Sequence, residues 1–150
     1  MRDSKAELIR LVTPEMANFS GKMHGGELLK LLDQVAYTCA MRYCGNYVVT
    51  LSVDNVLFKQ SISIGEMVTC RAAINYTGKT SMEVGIQVIA EDLREGIVRH
   101  TNSSYFTMVS VDAKGKPLPA KPYEPENDIE KRRWADAERR REFRKRASAT

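Results

Sequence analysis

The chain has 150 residues, 43% of them hydrophobic and 28% charged, with a formal net charge of +4. That is the length of one domain, with enough apolar residues for a sizeable core. No apolar run approaches the roughly 20 residues of a membrane span, and residues 1–7 are too charged to form the apolar centre of a signal peptide. A cytoplasmic location with no membrane partner is therefore expected.

Residues 7–12 read as a short strand or a turn of helix, ended by Thr13-Pro14. Residues 15–23 lack periodicity and read as a loop. The spacing of Leu28, Leu32, Val35, Ala36 and Cys39 predicts a helix from about Gly25 to Cys44, with Leu29, Leu31 and Ala40 widening its apolar stripe. Gly45-Asn46 closes it. Val48–Phe58 is rich in β-branched residues and reads as a strand. After a turn at Ser63–Gly65, a strand over Met67–Tyr76 places Val68, Cys70, Ala72 and Ile74 on one face. Thr77-Gly78-Lys79-Thr80 is a hairpin turn. Met82, Val84, Ile86, Val88 and Ala90 then alternate with Glu83, Gly85, Gln87 and Glu91. Glu95-Gly96 turns the chain into a long strand over Val98–Val111, and Asp112–Lys116 is a polar turn. Pro117, Pro119, Pro122 and Pro125 mark an extended linker. A charged helix follows over 127–146, carrying Ile129, Trp134, Ala135 and Phe143. No internal repeat is present.

One long helix before a meandering antiparallel sheet is an α+β layout. The helix is apolar over so wide an arc that a sheet curled around it is the simplest cover. Long strands in a small domain leave edges, and pairing with a second subunit is one way to manage them. Residues 127–150 hold nine Lys/Arg and five Asp/Glu, so the whole net charge sits there, and residues 1–126 balance at 14 against 14. The folded body is therefore not expected to bind nucleic acid. Cys39, Cys44 and Cys70 are an odd set without metal spacing, and with only two His residues no metal site is expected. They read as reduced, mostly buried thiols.

Five local signals each admit a bland and a chemical reading. On a helical wheel with Leu28 at zero, the apolar stripe centres near 40° and Asp33 falls near 140°, at the stripe's edge. It is either a rim carboxylate bonded to a neighbour or one held in a cleft for base or nucleophile work. His24-Gly25-Gly26 is either a flexible helix start or a set of open N–H donors for an oxyanion, with His24 alone weak. Asn18 either turns its loop or polarises a carbonyl. Gly78-Lys79-Thr80-Ser81 is a polar hairpin or a contact for an elongated polar ligand; it lacks the spacing of a phosphate loop. The basic run Arg139–Arg146 is a solvated helix face, an RNA contact, or a phosphate clamp for a ligand on a neighbouring subunit.

Four segments in register carry a resemblance. Ala17-Asn18-x-x-Gly21-x-x-His24-Gly25-Gly26, followed by Leu31-Leu32-Asp33-x-x-Ala36, resembles the opening of the bacterial hotdog-fold acyl-CoA thioesterases. Thr50-x-Ser52-Val53-Asp54-x-Val56-x-Phe58, Gly78-Lys79-Thr80-Ser81-Met82 and Thr101-Asn102-x-x-Tyr105-Phe106-Thr107 agree in order. The likeness runs from about residue 13 to 123.

The resemblance implies a long helix wrapped by a curved antiparallel sheet over 1–123, with 124–150 a basic helical tail. It implies hydrolysis of acyl-CoA to CoA and a carboxylic acid at a site between paired subunits. Asn18 and Asp33 would come from opposite subunits, with Asp33 as base or nucleophile. Asn18, His24, Gly25 and Gly26 would polarise the thioester carbonyl. Gly78, Lys79, Thr80, Ser81 and Arg99 would meet the CoA moiety. No cofactor or metal is implied beyond the CoA of substrate and product, and a trimer of dimers is the implied assembly. The rival readings are a hydroxyacyl dehydratase of the same fold, using His24 and Glu27, and a non-catalytic acyl-CoA or nucleotide sensor.

Overall fold

The computed structural model describes residues 3–54 and 56–148. Residues 1–2, Asn55 and 149–150, which belong to the charged start, the strand expected over Val48–Phe58 and the end of the tail, lie outside the described residues. The elements in chain order are β1 (Lys5–Leu11), a short 3-10 turn at Pro14–Met16, α1 (Gly25–Cys44), β2 (Tyr47–Asp54), β3 (Met67–Thr77), β4 (Ser81–Asp92), β5 (Ile97–Val111) and α2 (Asp128–Ser148). The five strands form one antiparallel sheet in the order β1-β3-β4-β5-β2. Of the two readings open for residues 7–12, the strand is the one that forms.

α1 touches every strand of the sheet. It buries Leu28, Leu31, Leu32, Val35, Ala36, Cys39, Ala40 and Tyr43 against Val68, Cys70, Ile74, Met82, Val84, Ile86, Val88, Phe106 and Met108. The sheet therefore wraps the helix, and the α+β hotdog layout expected from the sequence is the one observed. Leu29 differs from expectation: it stands outside the buried stripe. Gly45 ends α1 in the left-handed region at φ 75°, its N–H donating to Met41 O at 2.9 Å, a conformation glycine adopts without the Cβ penalty.

β2 is shorter than the expected Val48–Phe58. A bulge between Thr50 and Ser52 bends it against β5, and pairing ends at Asp54. β2 is an edge strand, so nothing on its far side holds it in the ladder within one chain. Instead the Asn102 side chain draws residues 56–60 away, its Nδ2 donating to Leu57 O at 2.6 Å.

The charged tail is docked rather than solvated all round. Glu83, on the face of β4 opposite the core, is almost fully covered. Arg140 meets its carboxylate twice, Nη2 to Oε1 at 2.6 Å and Nε to Oε2 at 3.2 Å, and lies over the Tyr105 ring at 3.6 Å. Asn75 Nδ2 adds a hydrogen bond to Glu83 Oε1 at 3.1 Å. Arg144 pairs with Asp54 at the end of β2. Trp134 packs on Tyr76 with ring centroids 4.4 Å apart. Arg139, Glu142 and Arg146 keep the solvated role expected of such a run, and so does Phe143, which is exposed.

The proline-rich linker is pinned at both ends. Ala120 N–H donates to Lys79 O, Tyr43 Oη to Pro122 O and Tyr123 N–H to Thr77 Oγ1. α2 starts where Asn127 Oδ1 accepts the Glu130 N–H at 2.9 Å while Glu130 Oε2 accepts from Asn127 Nδ2, a reciprocal cap. The Glu126 N–H, bonded to Glu130 Oε1, is the main reason the Glu130 carboxyl lies below its ordinary value.

Candidate active site

Two segments build a cleft of about 270 Å³ at the start of α1. The first is residues 18–24. Asn18 Oδ1 accepts from Ser20 N at 3.0 Å, Ser20 Oγ at 2.9 Å and Lys22 N at 3.1 Å, and Gly21 takes φ 76° to close the turn. Three donors on one atom identify it as the oxygen of the amide. Among the described residues no acceptor takes Asn18 Nδ2, which remains an exposed donor lining the cleft. The loop thus holds Asn18 by its carbonyl and presents its NH2.

The second segment, residues 56–66, is sewn to the first. Met23 N–H donates to Ile62 O at 2.7 Å, Ile64 N–H to Gly21 O at 3.1 Å and Lys22 Nζ to Ser63 Oγ at 2.8 Å. Two side chains of β5 hold its back, Asn102 on Leu57 O and Arg99 on Ser61 O at 2.9 Å. Arg99 also pairs with Glu66 at 2.7 Å. Its guanidinium therefore shapes the cleft wall, and only its remaining N–H groups are available to a ligand.

Gly25 and Gly26 do not take positive φ, so left-handed freedom is not why glycine stands there. An added Cβ at Gly25 would meet the Phe58 ring at an ordinary contact distance of 3.4 Å, and at Gly26 the space is open, so packing does not demand glycine at either position. His24 caps the helix with its backbone and makes no side-chain cap bond. Among the described residues no acceptor takes the N–H of Gly25 or Gly26. Asn18, His24 and Gly25 line this cleft at the positive end of the α1 dipole, a setting suited to an oxyanion, and Gly26 follows directly behind.

Asp33 is not in this cleft. It lies eight residues further along α1, about 12 Å at 1.5 Å per residue. Its Oδ1 accepts from Thr50 Oγ1 at 2.6 Å, which ties it to the edge strand β2. The hairpin Gly78–Ser81 is also remote. It sits at the end of β3 and β4 that lies away from Gly65 and the cleft, about a strand's length off. Within one chain the structure brings together Asn18, His24, Gly25 and Gly26, and it leaves Asp33, Gly78, Lys79, Thr80 and Ser81 elsewhere.

Thr50, Phe58 and Asn102 carry this geometry without having been singled out from the sequence. Each lies in one of the segments that carry the resemblance. Among the described residues no group of three or more His, Cys, Asp or Glu is placed to hold a metal ion. Burial pushes the Cys39 and Cys70 thiols up to about 12, so neither supplies a thiolate nucleophile near neutral pH.

A family model for the thioesterase superfamily matches residues 20–97. The chain is 54% identical over 136 residues to Protein VdlD of Helicobacter pylori, covering 91% of this chain and 78% of that protein. An apo-hexameric acyl-CoA thioesterase superposes with a TM-score of 0.93 at 38% identity, over 97% of this chain and 94% of that one. An acyl-CoA hydrolase from Staphylococcus aureus, solved with butyryl coenzyme A, coenzyme A and coenzyme A disulfide, gives 0.90 at 35% identity, over 98% of this chain and 90% of that one. The same hydrolase has been solved with single alanine replacements of an asparagine, an aspartate and a threonine. Those positions are 15 and 17 residues apart, the separations of Asn18, Asp33 and Thr50 here. By the family model and these likenesses, the chain belongs to the thioesterase superfamily.

Proposed function

We propose that the protein is an acyl-CoA thioesterase, hydrolysing acyl-CoA to CoA and a carboxylic acid, with each site completed by two subunits. The observation that carries this reading is the separation of Asn18 and Asp33. One chain offers a cleft with donors but no lining carboxylate, and an α1 carboxylate tied to a free sheet edge outside that cleft. Pairing two copies along β2 supplies each cleft with the other copy's Asp33. The apolar side chains of that edge support this: Tyr47, Val49, Leu51 and Val53 are all exposed in the single chain. An antiparallel pairing also carries the partner's Gly78–Ser81 hairpin toward the cleft, where it can follow the CoA arm.

In the proposed reaction the thioester oxygen lies against Asn18 Nδ2 and the N–H groups of Gly25 and Gly26, which strengthen their hold as charge develops on it. Asp33, oriented by the Thr50 hydroxyl, takes a proton from the attacking water or attacks the carbonyl itself. Collapse of the adduct expels the CoA thiolate, which takes up the proton; where Asp33 is the nucleophile, water then cleaves the resulting acyl–Asp33 anhydride to release the carboxylic acid and restore the carboxylate. Arg99 helps with the CoA phosphates through its unused N–H groups. Residues 1–123 carry this chemistry, α2 (Asp128–Ser148) of the 124–150 tail braces the sheet from outside, and no cofactor is called for beyond the CoA that substrate and product bring. The hexameric relative supports a trimer of dimers as the assembly. The described cysteines are free thiols, in keeping with a reducing cytoplasmic setting.

Co-expression of Asn18→Ala and Asp33→Ala chains tests the shared site. Random pairing makes half the dimers mixed, each with one intact site of two, so about a quarter of the parent activity should return. Each single variant assembled alone should release almost no thiol. If mixing restores nothing, both residues serve one chain's site and the reading fails.

A further inference from the structure

A second cleft lies away from the start of α1. It lies on the opposite face of the sheet, beneath α2, with a volume of about 390 Å³. It shares no residue with the Asn18–Phe58 cleft. Four cations line it from three elements: Lys5 on β1, Arg71 on β3, and Arg133 and Arg140 on α2. Asp136 is the one lining acid, and Arg139 is paired with it.

The floor is built rather than incidental. Asn75 is 4% exposed and lines the cleft, and it occupies the space that a Cβ at Gly85 would take. Arg140 is held rigidly by two bonds to Glu83 and by the Tyr105 ring, with Nη1 left over. Lys5 and Arg133 make no ion pair among the described residues. Arg71 is paired only with Glu7 at 3.3 Å, both well exposed, and such a pair is readily exchanged. The Tyr105 face is taken by Arg140, so no open aromatic surface waits for a base. What the walls offer is positive charge and N–H donors approaching from both sides.

We propose that this outer cleft binds a small phosphate-bearing anion with more than one charged oxygen, bridging α2 and the sheet. Bidentate guanidinium contacts and a lysine suit phosphate oxygens. A ligand joining Lys5 and Arg71 to Arg133 and Arg140 also fastens the tail helix to the domain.

Calorimetry of the full-length assembled protein at low ionic strength, with inorganic pyrophosphate as the probe, tests this. Pyrophosphate is expected to bind and to raise the melting temperature, and the Lys5→Gln/Arg133→Gln variant should bind it at least about tenfold more weakly, given the loss of two charge-assisted contacts. Neither residue touches the proposed catalytic cleft, so thiol release and assembly size should be unchanged in that variant. An ADP arm distinguishes sources: equal affinity assigns recognition to phosphate alone, and tighter binding adds a nucleoside contact. Absence of pyrophosphate binding, or undiminished binding in the variant, overturns the proposal.

Discussion

Gly85→Ala tests how the outer face of the sheet is built. An added Cβ at Gly85 would fall inside contact distance of Asn75 Nδ2, with Cγ at 3.1 Å and Oδ1 at 3.2 Å. Asn75 must swing away, and the bond that it makes to the buried Glu83 carboxylate breaks. A hydrogen bond to a charged group is worth about 1.5–3 kcal/mol. At about 2–4 °C per kcal/mol for a chain of this size, the melting temperature should fall by roughly 3–12 °C. Asn75→Ala should cost a similar amount, because it removes the same bond. Gly85→Ala made in the Asn75→Ala background should then cost little, since the space is already vacant. Thermal unfolding of the four proteins at one fixed protein concentration reads the cycle. Additive losses, or a Gly85→Ala protein melting within 1 °C of the parent, would refute the reasoning.

Thr50→Val removes the hydroxyl that orients Asp33 while preserving shape. It should lower kcat about 10- to 100-fold with little change in KM, and Thr50→Ser should recover most of the loss; a Thr50→Val enzyme with parental kcat would remove Thr50 from the mechanism. The Glu130 carboxyl is held below its ordinary 4.5, so its contribution to the start of α2 is present above pH 4.5 and is lost as pH falls through the lowered folded value. Fluorescence of Trp134, the chain's one tryptophan, should report loosening of α2 on acidification, and Glu130→Gln should flatten that response. Burial holds Cys39 and Cys70 near 12, so an alkylating reagent at pH 8 should modify Cys44 alone of the three in the native protein, as read by peptide mass.

Helix α1 was legible because its apolar stripe faces a sheet on most of its circumference, and β3 and β4 because one face of each is fully buried. β2 was overextended because its composition stays apolar to Phe58, while its end is set by partners distant in sequence: Asn102 on Leu57 and Arg144 on Asp54. Glu83 read as a solvent-facing residue of an alternating strand. Only the docked tail reveals that it is covered, and a basic run does not announce which of its arginines turn inward. The wheel placed Asp33 correctly at the rim of the stripe, but the Thr50 hydroxyl that holds it comes from 17 residues away. Asn18 was found by its motif. That its oxygen is spent on its own loop, so that it can act only as a donor, follows from three bonds that no spacing encodes.

The clasp of α2 has a consequence for the order in which the protein is made. Arg140 and Arg144 belong to the final helix, while their carboxylate partners lie on β4 and at the end of β2. Glu83 and Asp54 therefore have no such counter-ion until α2 has been made, and the outer face of the sheet stays unfinished until α2 docks. The β2 edge, whose end is anchored by Arg144, is completed only by a helix that follows every strand in sequence, so the proposed pairing along β2 waits on α2.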